Sequence, residues 1–359
     1  MREGLLPKIV FVIGTRPQYI KSSIIINQLI KLGIPLKVID TGQHYDANLS
    51  KVFLEELKFP DVINLNVGSA RTHGIQTAKI IVRAERWLLK LNPKLVIVVG
   101  DTNITLGTAI TTSKLNIPIA HLEAGLRSYD MSIPEEINRV VTDVLSTILF
   151  CPSYKSVNNL LEEHVSGRIY WTGDTMYDVL RKHLPIARKR NTLIKYGIDY
   201  DYALATIHHS FNTDNPKRLK SILSGLEKSG LDIIFPIHPR TKKMMKWFGI
   251  HKKSSNIHFL SPVSYYDMLN LIRKSEMVIT DSGGLQKEAF WLRKPCITLK
   301  EDTVWNETVD LNANTLVGAN KGSIIKAIKN CSSFPRRITQ PYGKGNASEI
   351  IIRILRSLV

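Results

Sequence analysis

Short, continuous apolar runs alternate with amphipathic stretches along most of this sequence, and that alternation restricts the fold more than any single residue. Lys8 to Ile13, Leu36 to Asp40, Leu95 to Val99 and Ile117 to His121 are largely apolar with many β-branched residues. A strand that is apolar on both faces must be covered on both, which a parallel sheet flanked by helices achieves. Between these runs, Ile20 to Leu32, Leu49 to Leu57, Ile75 to Leu89 and Thr105 to Leu115 carry apolar residues at helical spacing. Glu135 to Ser146 reads as a further helix, and Ile148 to Cys151 and Ile169 to Thr172 as strands. After a basic stretch near Arg188 to Tyr200 the alternation restarts, with strands at Tyr202 to Thr206, Ile233 to Ile237, Ile257 to Leu260, Met277 to Thr280 and Pro295 to Leu299. The pattern predicts an α/β protein of two Rossmann-like, doubly wound domains, the second beginning near Gly173. Their strand ends are expected to face a cleft. The last helix, Ala347 to Leu358, is compatible with packing on either half.

A chain of 359 residues fits two domains of ordinary size, and 43% hydrophobic with 22% charged residues describes a globular protein. The formal net charge of +18 favours anionic partners. Nucleic acid is not among those expected, because the basic residues are scattered and no zinc-finger, RNA-binding or basic-helix signature is present. Cys151, Cys296 and Cys331 lack metal-ligand spacing and read as reduced thiols of a cytoplasmic protein. No run approaches the roughly 18 apolar residues of a membrane helix, and Ile9 to Ile13 is too short for a leader peptide.

Chemistry-bearing residues gather at strand ends. In Met277 to Ala289 a strand stops at Thr280, Asp281, Ser282, Gly283, Gly284 and a helix follows, a geometry in which backbone N–H groups and the helix dipole favour an anion such as phosphate. An ordinary N-cap at Ser282 satisfies the same pattern. Arg16 and Lys21 follow the first strand, Gln43 and His44 the second, Asp101 follows Val99, Glu123 follows His121, and Glu135 with Glu136 follow Pro134. Clustered carboxylates can split into an acid and a base near neutral pH. Asp101 and Glu123 are expected to be functional, whereas Glu136 is expected to cap its own helix. In the second half, His208, His209 and His238 suggest a diphosphate ligand in preference to a metal site, and Glu288 a ligand for ribose hydroxyls. Neither GxGxxG nor a Walker lysine loop follows any strand, so no nicotinamide, metal or other cofactor is expected.

These motifs, taken in order, resemble the non-hydrolysing UDP-N-acetylglucosamine 2-epimerase family. The resemblance runs through GTRP (Gly14 to Pro17), TGQH (Thr41 to His44), GDTNITL (Gly100 to Leu106), HLEAGLRS (His121 to Ser128), PEEINR (Pro134 to Arg139), TGDT (Thr172 to Thr175), HPR (His238 to Arg240), TDSGGLQKEA (Thr280 to Ala289), RKP (Arg293 to Pro295) and PYGKG (Pro341 to Gly345). It implies a glycosyltransferase B-type fold with the last helix crossing back, hence domains 1–172 plus 340–359 and 173–339. It also implies inversion of C2 of UDP-N-acetylglucosamine to give UDP-N-acetylmannosamine, by elimination of UDP to a 2-acetamidoglucal and re-addition. Asp101, Glu123 and Glu135 would move protons at C2. Arg16, Lys21 and His208 would meet the departing diphosphate, and His238, Ser282, Gly283, Gly284 and Glu288 would hold UDP. A cytoplasmic homodimer with no nucleic-acid or membrane partner, serving polysaccharide biosynthesis, completes the expectation.

Four places in the chain depart from the family pattern. Gln18 replaces the usual glutamate after GTRP, and His208, His209, Ser210 and Phe211 replace a segment carrying a charged pair. The usual TERPE is TVWNE (Thr303 to Glu307), which resembles relatives acting on diacetamido uronic acid sugars. Tyr45 replaces an arginine in a segment that family members link to activation by a second substrate molecule, so Gln43 and His44 are possible regulatory residues. Alternatives are a hydrolysing epimerase, a UDP-dependent glycosyltransferase and a catalytically idle UDP-sugar binder.

Overall fold

The computed structural model describes residues 7–42, 62–68, 70–250, 254–331 and 333–358. The chain divides into two compact units, Met1–Val179 with Gln340–Val359, and Leu180–Thr339. In the first unit seven strands, β1 (Ile9–Ile13), β2 (Leu36–Asp40), β3 (Val62–Asn64), β4 (Leu95–Val99), β5 (Ile119–Leu122), β6 (Ile148–Cys151) and β7 (Arg168–Trp171), form one sheet in the order β3-β2-β1-β4-β5-β6-β7. Every pairing is parallel, with Val10 opposite Val96 at the centre. β1 and β4 are buried at every residue, which is why they are apolar throughout, whereas edge strand β7 keeps Arg168 and Trp171 exposed.

The second unit contains β8 (Ala203–Thr206), β9 (Ile233–Pro236), β10 (Ile257–Leu260), β11 (Met277–Thr280), β12 (Cys296–Thr298) and β13 (Asn314–Leu316), all parallel, in the order β10-β9-β8-β11-β12-β13. One face of this sheet is sealed by a core that includes Ala205, Leu219, Leu226, Phe235, Ile279 and Ile324. In each unit the strand order reverses once, between β1 and β4 and between β8 and β11. Such a reversal opens a crevice at the carboxyl ends of the two strands, where ligands bind in open α/β sheets.

The sequence places a boundary at Gly173, but the structure divides between Val179 and Leu180, inside the helix Thr175–Arg188. The first turn of that helix belongs to the first unit because Asp178 accepts hydrogen bonds from the N–H groups of Ala347 and Ser348, at the start of the last helix Ala347–Leu358. TGDT and PYGKG pack together here. Asp174 N donates to Tyr342 O at 3.0 Å, and a Cβ on Gly173, at φ 83°, would come within 2.8 Å of the same oxygen. The last helix packs on Arg16–Lys31. The helix expected around Leu49 to Leu57 lies outside the described residues, as do Gln43 and His44.

Candidate active site

The first unit gathers its charged groups at the ends of β1, β4 and β5. Lys21, on the helix that follows β1, donates to Glu123 Oε2, and the two side chains are only 13% and 9% exposed. Gly100 lies beneath this pair, where a Cβ would stand 3.3 Å from Glu123 Oε2 and 3.9 Å from Lys21 Nζ. Asp101, with 35% of its side chain exposed, is held by Arg139 Nη1, and Asn138 Nδ2 donates to its carbonyl at 2.9 Å. Each carboxylate therefore meets its own cation. Lys21, assigned from the sequence to the departing diphosphate, is engaged by Glu123. Arg16 is exposed at the first position of its helix, and Glu135 is half-buried at the start of Pro134–Leu145. A cavity of about 10 Å³, the size of one water, is lined by Lys21, Glu123, Gly173 and Asp174.

HLEAGLRS is mostly scaffolding for Glu123. Its backbone turns sharply after β5: Glu123 has φ 74° and Gly125 φ 79°. Both Glu123 N and Ala124 N donate to Phe150 O at 3.1 Å. A Cβ on Gly125 would come within 2.3 Å of Ser156 O, so that position admits only glycine. His121, fully buried, has Nε2 2.7 Å from Gly100 O and Nδ1 2.6 Å from Asp143 Oδ1. Asp143 Oδ2 accepts from Gly125 N at 3.0 Å and Arg127 Nη1 at 2.7 Å. Burial pushes the Asp143 carboxyl up, but His121 and Arg127 outweigh it and hold it below the usual carboxylate range. Arg127 continues in a bidentate pair with Glu163 at 2.7 and 2.6 Å.

Glu136 differs from expectation. Instead of capping its own helix, the buried carboxylate accepts N–H groups from Ser128 (3.0 Å) and Tyr129 (2.8 Å) and binds Arg139 Nε at 2.8 Å. It thereby fixes both the end of HLEAGLRS and the arginine that holds Asp101. Sequence reasoning missed Arg139, although its spacing from Glu135 and Glu136 in a helix was the available signal.

In the second unit the organising residue is Asp281, 1% exposed. Directly after β11, its carboxylate accepts from His208 N (3.0 Å), His209 N (3.0 Å) and Asn212 Nδ2 (3.1 Å), all beyond the end of β8. The His208 and His238 rings lie 5.3 Å apart between centroids. His238 Nδ1 accepts from Arg240 N at 3.1 Å, which leaves the proton on Nε2 and makes that nitrogen a donor. Arg240 itself is tied to Asp214.

Ser282 caps the helix Gly283–Trp291, its Oγ 3.5 Å from Leu285 N. Neither Gly283 nor Gly284 has a positive φ, and the reason for Gly283 is space: a Cβ there would stand 3.0 Å from Trp305 Nε1. Trp305 comes from TVWNE and covers the fully buried Lys287, whose Nζ is 3.6 Å from the ring centroid. Glu288 is 4% exposed on the same helix.

Two Rossmann-like units, each an all-parallel sheet whose strand order reverses once, define an α/β protein of the glycosyltransferase B type. The sequence model of the UDP-N-acetylglucosamine 2-epimerase family matches residues 30–356, and the chain belongs to that family. It is 45% identical to the UDP-N-acetylglucosamine 2-epimerase of Methanocaldococcus jannaschii, over 97% of this chain and 98% of that one. It is 40% identical to the UDP-2,3-diacetamido-2,3-dideoxy-D-glucuronate 2-epimerase of Pseudomonas aeruginosa, over 98% of this chain and all (100%) of that one. The crystal structure of the M. jannaschii enzyme in complex with UDP-GlcNAc and UDP superposes with a TM-score of 0.92, at 44% identity, covering 97% of this chain and 99% of that chain.

Proposed function

We propose that this chain inverts C2 of UDP-N-acetylglucosamine, giving UDP-N-acetylmannosamine through UDP elimination and re-addition. The observation that carries this reading is the pairing of Lys21 with Glu123 beside Asp101 at the β1/β4 switch point, in a member of the epimerase family. The C2 hydrogen is barely acidic, so cleavage of the C1–O bond leads and the leaving diphosphate is met by donors. His238 Nε2–H and the helix start at Ser282, Gly283 and Gly284 supply those donors, with His208, Arg16 and Lys21 assigned to the same anion and Glu288 to the ribose.

A carboxylate among Asp101, Glu123 and Glu135 takes the C2 proton, leaving 2-acetamidoglucal and UDP. Re-addition of UDP at C1, with a proton delivered to the opposite face of C2, gives the epimer. In heavy water the product carries deuterium at C2, read by NMR or mass spectrometry. Absence of exchange would overturn the reading, and release of free N-acetylmannosamine would convert it to a hydrolysing one. The identity to the P. aeruginosa enzyme and the TVWNE segment favour a second substrate, a diacetamido uronic acid sugar, so both UDP-sugars belong in the exchange assay.

The same reading includes a cytoplasmic homodimer. Its support is a stripe of Ile75, Val82 and Leu89, exposed at two-turn intervals along His73–Leu91, with Ile137 and Val144 likewise exposed on Pro134–Leu145. A second copy covering this stripe removes large apolar side chains from water.

A further inference from the structure

The helix Pro239–Trp247 is fastened to the second unit along one side. Met245, 3% exposed, belongs to the core that seals that sheet, Thr241 Oγ1 donates to Ile207 O, and Met244, Phe248 and Ile250 pack against the same core. Lys242, Lys243, Lys246 and Trp247 fall on the other side, within about 140° of the helix circumference at 3.6 residues per turn. All four are exposed. Trp247, at 79%, is the most exposed aromatic residue among those described and stacks on no other described ring, and the three lysines pair with no described carboxylate. A shallow groove of about 620 Å³ is lined by Pro239, Met245 and Ile250 together with the three lysines.

These features fit an occupant with two parts. Ammonium groups without counter-charges attract an anion, and the net charge of +18 draws it from a distance. An indole in water beside an apolar groove gains from an apolar neighbour while its N–H keeps a polar one, the environment found where the headgroups of a bilayer meet its acyl chains. Nucleic acid meets the first requirement, but it stacks successive bases on successive aromatic rings, and Trp247 stands alone. The sequence led to an expectation of no membrane partner because no run could cross a bilayer, and no helix among the described residues is long and apolar enough to do so. Lying on the surface needs only a basic helix with an aromatic ring at its edge.

We propose that the exposed face of Pro239–Trp247 docks this chain onto anionic lipid bilayers, with Lys242, Lys243 and Lys246 on the phosphate headgroups and Trp247 at the edge of the acyl region. Docking does not depend on the C2 chemistry. Co-sedimentation with vesicles of phosphatidylglycerol and phosphatidylcholine tests it: the parent should bind them and leave pure phosphatidylcholine vesicles unbound. Near an anionic surface each lysine is worth about five-fold in partitioning, so Lys242→Gln, Lys243→Gln and Lys246→Gln together should weaken binding about a hundred-fold. Lys31, Lys114 and Lys329 are exposed at the ends of three other helices. Changing these three to Gln removes the same charge away from the contact and should cost less than about ten-fold, because salt screens distant charges. Lipids brominated high on the acyl chain should quench Trp247. That signal should vanish in Trp247→Phe, which keeps an apolar ring and should bind within about three-fold of the parent. Circular dichroism establishes that each variant is folded.

Absence of binding to anionic vesicles overturns the proposal, as do equal losses in the two lysine triples and binding without quenching of Trp247. Release from vesicles by millimolar inorganic phosphate at constant ionic strength would assign the lysines to a free anion and overturn it. Tighter binding to an oligonucleotide, lost on changing Trp247 to Ala, would assign the face to nucleic acid and overturn it as well.

Discussion

Glu123 occupies the left-handed region at φ 74°, a conformation that costs a non-glycine residue about 1–3 kcal/mol unless its surroundings impose it. The surroundings do impose it, through Phe150 O on the backbone, Gly125 and Asp143 on the following turn, and Lys21 on the carboxylate. Glu136 finishes the same loop, and its ionisation is measurable as stability. Burial pushes its carboxyl up, but the Ser128 N–H, Arg139 and the Tyr129 N–H outweigh burial and hold it below its ordinary value of 4.5. A carboxyl depressed in the folded state binds fewer protons there than in the unfolded chain. Its contribution is complete above about pH 4.5 and is lost as pH falls through the lower folded value. Glu136→Gln should therefore lower the melting temperature at neutral pH and flatten its decline below pH 4.5. Parallel melting curves of parent and variant from pH 7 to pH 3 would refute this account. Turnover should fall too, since Arg139 loses one of the two carboxylates that orient it toward Asp101.

At the scale of elements, each unit ties its two switch-point strands together with one buried polar side chain, Gln18 across β1 and β4 and Asp281 across β8 and β11. The strands themselves were legible because burial on both faces leaves an apolar signature, and so was their parallel arrangement. The ties were not, because a lone Gln or Asp at a strand end carries no period, and its partners lie 81 residues away for Gln18 and 73 for His208 with Asp281. Candidate acids were legible for the opposite reason: they sit beside glycines directly after apolar runs. Their cations were not, since pairing Asp101 with Arg139 needs the geometry of a helix that begins far along the chain. The helix His73–Leu91 shows a further gap. Its apolar spacing predicts the helix, yet Ile75, Val82 and Leu89 form a second apolar line in solvent, apart from the buried Ile80, Ala84 and Leu88. If a second copy covers that line, Val82→Glu and Leu89→Glu together should convert a dimer to a folded monomer in sedimentation velocity. A parent that sediments as a monomer would remove the homodimer.

Over the whole molecule, the residues proposed for the reaction divide by unit: the carboxylates Asp101, Glu123 and Glu135, with Arg16 and Lys21, lie in one, and His208, His238, Ser282 and Glu288 in the other. Each unit has its own core and its own switch-point tie, so a conservative change at a carboxylate should leave the helix start proposed to bind the anion undisturbed. Asp101→Asn or Glu123→Gln is expected to lower turnover by about a hundred-fold or more, the usual worth of a positioned acid or base. UDP affinity, measured by calorimetry, should stay within about three-fold. His238→Ala should behave in the opposite way, weakening UDP by about ten-fold or more, since it removes a donor to a charged group. The same variant should still exchange deuterium at C2 when substrate is saturating. Asp101→Asn carries an internal control: its amide keeps a carbonyl for Arg139, so a collapse in UDP affinity together with turnover would mean that Asp101 supports both units and that the division of labour is wrong. Near-parental turnover in either carboxylate variant would remove that carboxylate from proton transfer and leave Glu135 to be tested in its place.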